Sequence, residues 1–239
     1  MACRDNPGLA FVVVTHLSPN RESMLPEIVA RFTSLPVHPI ADGTPVEVDS
    51  VYLLPSDAVL GIKDRTLYFH PQVHATRERR PIDVFFGALS ADIGELAAGV
   101  VLSGADSDGT LGIKAIKERG GLTLAQVPDS FGPHHADMPD SAIATGLVDF
   151  AIPVEQMAAR LADFARGVYA LDGIAEDHEK SISQAQVDEA REAIYTILRN
   201  QVGHDFSGYE TKTFLRRIQR RMQILQMKAP EVPQRCSTA

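Results

Sequence analysis

Leu9-Ala10-Phe11-Val12-Val13-Val14-Thr15 is an unbroken apolar, β-branched run, the pattern of a strand buried on both faces in a parallel sheet. Ser18-Pro19-Asn20 follows as a helix-start signal, and Met24, Leu25, Ile28, Val29 and Phe32 then return at helical spacing. A second strand is expected within residues 46–54. Val59 to Ile62 and Thr66 to Phe69 read as a hairpin folded at Lys63-Asp64-Arg65. Pro81 opens a predicted helix that turns Ile82, Phe85, Phe86, Leu89 and Ile93 inward.

The alternation then repeats. Ala98 to Ser103 reads as a buried strand, Gly104 to Gly109 as a loop, and Thr110 to Arg119 as a helix stopped by Gly120-Gly121. Leu122 to Gln126 is the next strand, followed by a polar loop, a short helix over Ser141 to Thr145, a strand over Val148 to Ile152 and an Ala-rich helix over Val154 to Arg166. This rhythm predicts an α/β fold, a mostly parallel, doubly wound sheet with helices on both faces. A small all-α segment is expected after it, because no strand pattern survives between Gln184 and Met227, where Gly203 and Gly208 interrupt two or three helices.

The domain boundaries follow from the same pattern: 1–167 for the α/β domain, 168–189 for an acidic linker carrying Glu176, Asp177, Glu179, Asp188 and Glu189, 190–227 for the helical fragment and 228–239 for a tail. Composition narrows the function classes. The 239 residues carry 23 Lys+Arg against 31 Asp+Glu, a net charge of −8 that disfavours a nucleic-acid or anionic-membrane binder. Two cysteines, Cys3 and Cys236, supply neither a disulfide framework nor a zinc cluster. No apolar run reaches the roughly 18 residues of a membrane span, and the opening Met1 to Pro7 has no apolar core of a signal peptide. A cytoplasmic protein is expected.

Open parallel sheets bind ligands beyond the carboxyl ends of their strands. His16 stands at one such end, and Gly104-Ala105-Asp106-Ser107-Asp108-Gly109 at another. A histidine facing an aspartate there forms the base-and-orienter half of a nucleophilic triad. The same Asp-Ser-Asp-Gly equally suits a turn that caps a helix. His134-His135-x-Asp137 could join His16, Asp106 and Asp108 in a metal-dependent hydrolase, but adjacent histidines diverge and no third spaced ligand follows, so no metal is assigned.

Several segments stand in one order and spacing: Val12-Val13-Val14-Thr15-His16-Leu17-Ser18-Pro19, Val51-Tyr52-Leu53-Leu54-Pro55, Arg80-Pro81-Ile82-Asp83-Val84-Phe85-Phe86, Val101-Leu102-Ser103-Gly104-x-x-x-Asp108-Gly109 and Met138-Pro139. Together they resemble the catalytic domain of the chemotaxis protein-glutamate methylesterases, the CheB family, over residues 8–167. The resemblance implies serine-type hydrolysis of glutamate γ-methyl esters, and deamidation of glutamines, on the cytoplasmic helices of methyl-accepting chemoreceptors. It makes His16 the general base, Asp108 its carboxylate partner and the backbone N–H of Ala105 an oxyanion donor, with Asp106 outside the family pattern and no cofactor needed. The family's nucleophile is a serine in a Gly-x-Ser-x-Gly-Gly turn upstream of the histidine strand. Met1 to Pro7 contain neither serine nor glycine, so weak or absent activity is expected of this chain.

Leu198 to Tyr209 and Thr213 to Met222 resemble the start of the helical N-terminal subdomain of the chemoreceptor methyltransferases, the CheR family. Residues 210–228 carry a local charge of +5 on an acidic chain, and Leu215, Ile218, Met222 and Leu225 form a stripe that leaves the arginines on opposite faces. Arg216, Arg217, Arg220 and Arg221 read either as a solvated helix face or, as the resemblance implies, as a contact for acidic receptor helices, and nucleic acid fits poorly for want of interleaved aromatics. A non-catalytic docking or scaffold module of a chemosensory array is the alternative function.

Overall fold

The computed structural model describes residues 7–15, 24–55, 58–70, 80–129, 132–174, 184–203 and 208–225. The chain divides into two compact units, Met1–Ala165 and Arg166–Ala239. In the first, nine described strands form three hydrogen-bonded sets of three. β1 (Ala10–Val13), β4 (Ser50–Leu53) and β2 (Val37–Pro39) are parallel, with β4 central. β7 (Ala98–Val101), β8 (Leu122–Gln126) and β9 (Phe150–Ile152) are parallel, with β8 central. β3 (Thr44–Pro45), β6 (Thr66–Phe69) and β5 (Leu60–Lys63) are antiparallel.

The predicted α/β architecture with mostly parallel strands is therefore present, but the strands divide among three sets. The antiparallel set arises from the hairpin, whose turn places Asp64 and Arg65 at φ 51° and 56°. Both turn N–H groups donate to the Asp92 carboxylate, at 2.6 and 3.0 Å. A two-residue turn with positive φ matches the right-handed twist of its strands, so these neighbours pair antiparallel.

β4 shows why the apolar runs are continuous. Val51 and Leu53 pack with Leu35, Phe11, Val13, Leu25 and Val29, while Tyr52 and Leu54 belong to the main core with Ala10, Val12 and Val14. Alternate side chains of one strand thus enter two apolar layers, and each layer removes its face from water. Helix α1 (Leu25–Ala30) supplies Leu25 and Val29 to the smaller layer. Helices α2 (Pro81–Ile93), α3 (Thr110–Glu118) and α4 (Asp137–Ala144) supply Phe85, Phe86, Ile113, Ile116, Met138 and Ala142 to the larger one.

α2 starts where Pro81 fixes φ, and its Ile82, Phe85 and Phe86 are buried as the helical spacing predicts. α3 approaches it closely because residue 112 has no side chain: a Cβ there would stand 2.5 Å from the Phe86 Cβ. α4 begins four residues earlier than the pattern suggested, and Met138, Pro139 and Ala142 are its buried positions. α5 (Val154–Ile174) runs eight residues beyond the predicted Arg166. The second unit contains α6 (Gln184–Val202) and α7 (Thr211–Ile224), separated near Gly203 and Gly208 as expected. Tyr195 of α6 and Phe214 of α7 join them, with ring centroids 4.7 Å apart and both residues buried.

Candidate active site

β7 is buried at alternate positions and ends at Val101, and the loop that follows is pinned from several sides. The Ser103 N–H donates to the Gln126 side-chain carbonyl at 3.0 Å, Gly104 N–H to the His135 carbonyl at 2.9 Å, and Met138 N–H to the Gly104 carbonyl at 3.0 Å. Gly104 is required by close approach, since a Cβ there would lie 2.1 Å from the Met138 sulfur. Two positive-φ residues then reverse the chain, Asp106 at 88° and Gly109 at 90°. Asp106 supports its own turn by accepting the Ser107 N–H at 2.6 Å.

Asp108 lies between these reversals with 1% of its surface exposed. Its carboxylate accepts three backbone N–H groups: Ile82 at 3.0 Å, Asp83 at 2.9 Å and Gly109 at 2.9 Å. Ile82 and Asp83 belong to the first turn of α2, where orphan N–H groups and the helix dipole favour a negative charge. The capping and catalytic-carboxylate readings are therefore compatible, but the helix Asp108 caps is α2, reached across the fold, while the N-cap position of α3 is Gly109, which has no side chain to accept a bond. Such an anchored carboxylate is suited to orienting a partner group, because its own donors restrict its rotation.

Asp83 returns the arrangement to α3, accepting the Gly112 N–H at 2.7 Å. Arg80 precedes both, with its Nε 3.2 Å from the Asp83 carboxylate and its Nη2 donating to the Ser107 carbonyl at 2.9 Å and hydroxyl at 2.6 Å. Burial holds Asp83 above its ordinary value, the nearby Asp108 charge adds to this, and the Gly112 N–H and the Arg80 guanidinium oppose it.

The sequence-predicted residues fall unevenly on this frame. Ala105 is half-buried in the same loop as Asp108, and Asp106 is exposed beside it. His16 lies outside the described residues, as does the Ser18-Pro19-Asn20 helix-start signal; Thr15, with a buried hydroxyl, is the last described position before them. His134, His135 and Asp137 are exposed, and among the described residues no three His, Cys, Asp or Glu side chains converge as metal ligands.

The arginines require a correction. Arg216 and Arg217 are exposed, but Arg220 is 4% exposed and Arg221 is half-buried, with burial lowering its guanidinium below the ordinary value. The buried positions of α7 include Phe214, Arg220 and Ile224, and Leu225, assigned to the apolar stripe, is exposed. The interior of α7 keeps the half-buried Leu215, Ile218 and Met222 of the predicted stripe and adds Phe214, which meets Tyr195 of α6.

Sequence reasoning gave no role to Arg80, Asp83, Ser107 or Gln126. Pro81 at the helix start with an acid two residues later was the available signal for Asp83. Nothing local marks the reach of Arg80 to Ser107 or of Gln126 to Ser103, which lie 27 and 23 residues away.

A carboxylate buried at the carboxyl end of a parallel strand set, in a loop that also carries a candidate backbone donor, places a candidate site where α/β domains bind their ligands. The chain belongs to the CheB methylesterase family, whose model matches residues 1–161. Residues 189–230 match the CheR methyltransferase all-alpha domain. A putative protein-glutamate methylesterase/protein-glutamine glutaminase of Leptospira interrogans is 32% identical over 152 residues, covering 63% of this chain and 78% of that protein. An uncharacterized 104.1 kDa protein of Rhodobacter capsulatus is 33% identical over 221 residues, 84% of this chain. The chain spans only 22% of that relative's length. The crystal structure of the Thermotoga maritima CheB methylesterase catalytic domain superposes with a TM-score of 0.57 at 26% identity, covering 66% of this chain and 87% of that one.

Proposed function

We propose that this chain carries the base, orienter and oxyanion groups of a protein-glutamate methylesterase acting in the cytoplasm on chemoreceptor helices. The observation that carries the proposal is the Asp108 carboxylate, buried and fixed by three backbone donors in the loop that also presents Ala105. A hydroxyl attacks the γ-carbonyl carbon of a methylated glutamate while His16 takes its proton. Asp108 orients the ring and stabilises the imidazolium, and the Ala105 N–H faces the developing oxyanion. His16 returns the proton as methanol leaves, and a water activated by the same base hydrolyses the acyl intermediate to glutamate. Glutamine follows the same course with ammonia as leaving group. The reaction uses no metal or cofactor.

No Gly-x-Ser-x-Gly occurs in these 239 residues, so the attacking hydroxyl is not assigned to a residue among them. Fusing a strand and Gly-rich serine turn ahead of Ala10 is expected to give measurable hydrolysis of methylated receptor fragments. His16→Ala or Asp108→Ala then lowers the rate by about a thousandfold or more. Unchanged hydrolysis in the His16→Ala fusion would overturn the triad assignment.

A second reading, a non-catalytic docking module, is favoured by the exposed Arg216 and Arg217 on α7, within the segment matched by the CheR all-alpha domain. Charge-neutralising these two is expected to weaken capture of acidic receptor helices at low salt, and high salt to mask the difference. Arg220 is buried and serves the unit's interior on this reading, so its substitution acts through stability. Capture that is indifferent to both salt and Arg216 and Arg217 would reject the electrostatic surface. Nucleic acid is not the partner proposed.

A further inference from the structure

Arg80 adopts a left-handed backbone conformation, φ 47° and ψ 62°, immediately before Pro81 opens α2. Residues with a Cβ adopt it rarely, and they hold it where surrounding contacts over-determine the geometry. Here the side chain makes such contacts, beside the Val84 N–H that the Arg80 carbonyl accepts at 3.1 Å. One guanidinium nitrogen reaches both the carbonyl and the hydroxyl of Ser107, at 2.9 and 2.6 Å, while Nε stands 3.2 Å from the Asp83 carboxylate. Ser107 is the residue before Asp108 and two after Ala105. Asp83 in turn holds α3 through Gly112, and Asp108 holds α2 through Ile82 and Asp83.

Each helix start is thus capped by a carboxylate from the other segment, and Arg80 closes the ring between them. We propose that Arg80 is a positioning residue of the candidate site, clamping the Gly104 to Gly109 loop onto the start of α2 so that Asp108 and the Ala105 N–H keep one fixed relation. The inference rests on the methylesterase reading for its purpose and on the geometry alone for the clamp. Lysine is a poor replacement, because a single ammonium lacks the planar fork that serves Ser107 and Asp83 together.

The test uses the full chain and two measurements. Amide hydrogen exchange, read at Ala105, Ser107 and Gly109, reports the clamp. Arg80→Ala is expected to speed exchange at these amides at least tenfold while amides of β8 keep their protection. Ser107→Ala, which removes one of the acceptors, is expected to give a smaller acceleration, and Arg80→Lys to recover part of the loss. Equal acceleration in the loop and in β8 signals global destabilisation and overturns the proposal, as does unchanged exchange in the loop.

The second measurement is the NMR titration of His16. Asp108→Asn is expected to lower its pKa by about one unit by removing the opposed charge, and Arg80→Ala to lower it by a smaller amount with partial recovery in Arg80→Lys. If Asp108→Asn leaves His16 unmoved, the methylesterase reading fails, and the exchange data still decide whether Arg80 clamps the loop. If Asp108→Asn moves His16 and Arg80→Ala does not, the positioning role is overturned while the reading stands.

Discussion

Asp108 concentrates more consequences than any other described residue. Removing its carboxylate with Asp108→Ala strands the Ile82, Asp83 and Gly109 N–H groups in a buried site, and unmet buried donors each carry an appreciable desolvation cost. A loss of about 3 kcal/mol in urea unfolding is expected, with Asp108→Asn costing less because its amide oxygen still accepts. Asp149 behaves in the opposite sense. Its side chain is fully occluded, it contacts the Lys117 ammonium and accepts from the N–H and hydroxyl of Thr123, and burial still pushes it up to about 6. The folded protein therefore keeps this proton to higher pH than the unfolded chain, whose ordinary value is 3.8. Stability from this group is full below pH 3.8 and declines as pH rises towards 6, by up to about 3 kcal/mol. Asp149→Asn should flatten that part of the stability profile measured by denaturant titration between pH 4 and 6; an unaltered slope would refute it.

At the scale of elements, the helical spacing of Ile82, Phe85 and Phe86 was legible because one residue pattern decides which face is buried. The strand β2 escaped notice, since Val37-His38-Pro39 is short and interrupted by a polar residue and a proline. It is a strand because β4 offers a free edge, with Val37 opposite Val51 and Pro39 opposite Leu53. The α7 stripe holds for the half-buried Leu215, Ile218 and Met222 and fails at the exposed Leu225, because a short basic helix has more than one acceptable apolar line and the neighbour chooses. Tyr195 chose Phe214, so Phe214→Ala is expected to destabilise the α6 and α7 pair by about 3 kcal/mol, read from helical circular dichroism during thermal unfolding. A Leu225→Ala change at the exposed position should cost less than about 0.5 kcal/mol.

For the molecule as a whole, the chain divides into Met1–Ala165 and Arg166–Ala239, and substitutions far apart with no shared partner are expected to add. Ile116→Ala, at a fully buried position of the first unit, is expected to cost about 3 kcal/mol and to shift one thermal transition, while Phe214→Ala shifts another. Calorimetry of the double variant should return the sum of the two, and a single merged transition would contradict it. The sequence by itself determined the α/β rhythm, the helical second segment, the family and the loop that holds Asp108, because periodicity and short motifs are local properties of a chain. Tertiary structure alone decided that Asp108 caps α2, that Arg80 reaches Ser107 across 27 residues, that Arg220 is buried, and that the strands divide into three sets. Those outcomes depend on which donors and faces meet once distant segments pack, and no spacing along the chain encodes that meeting.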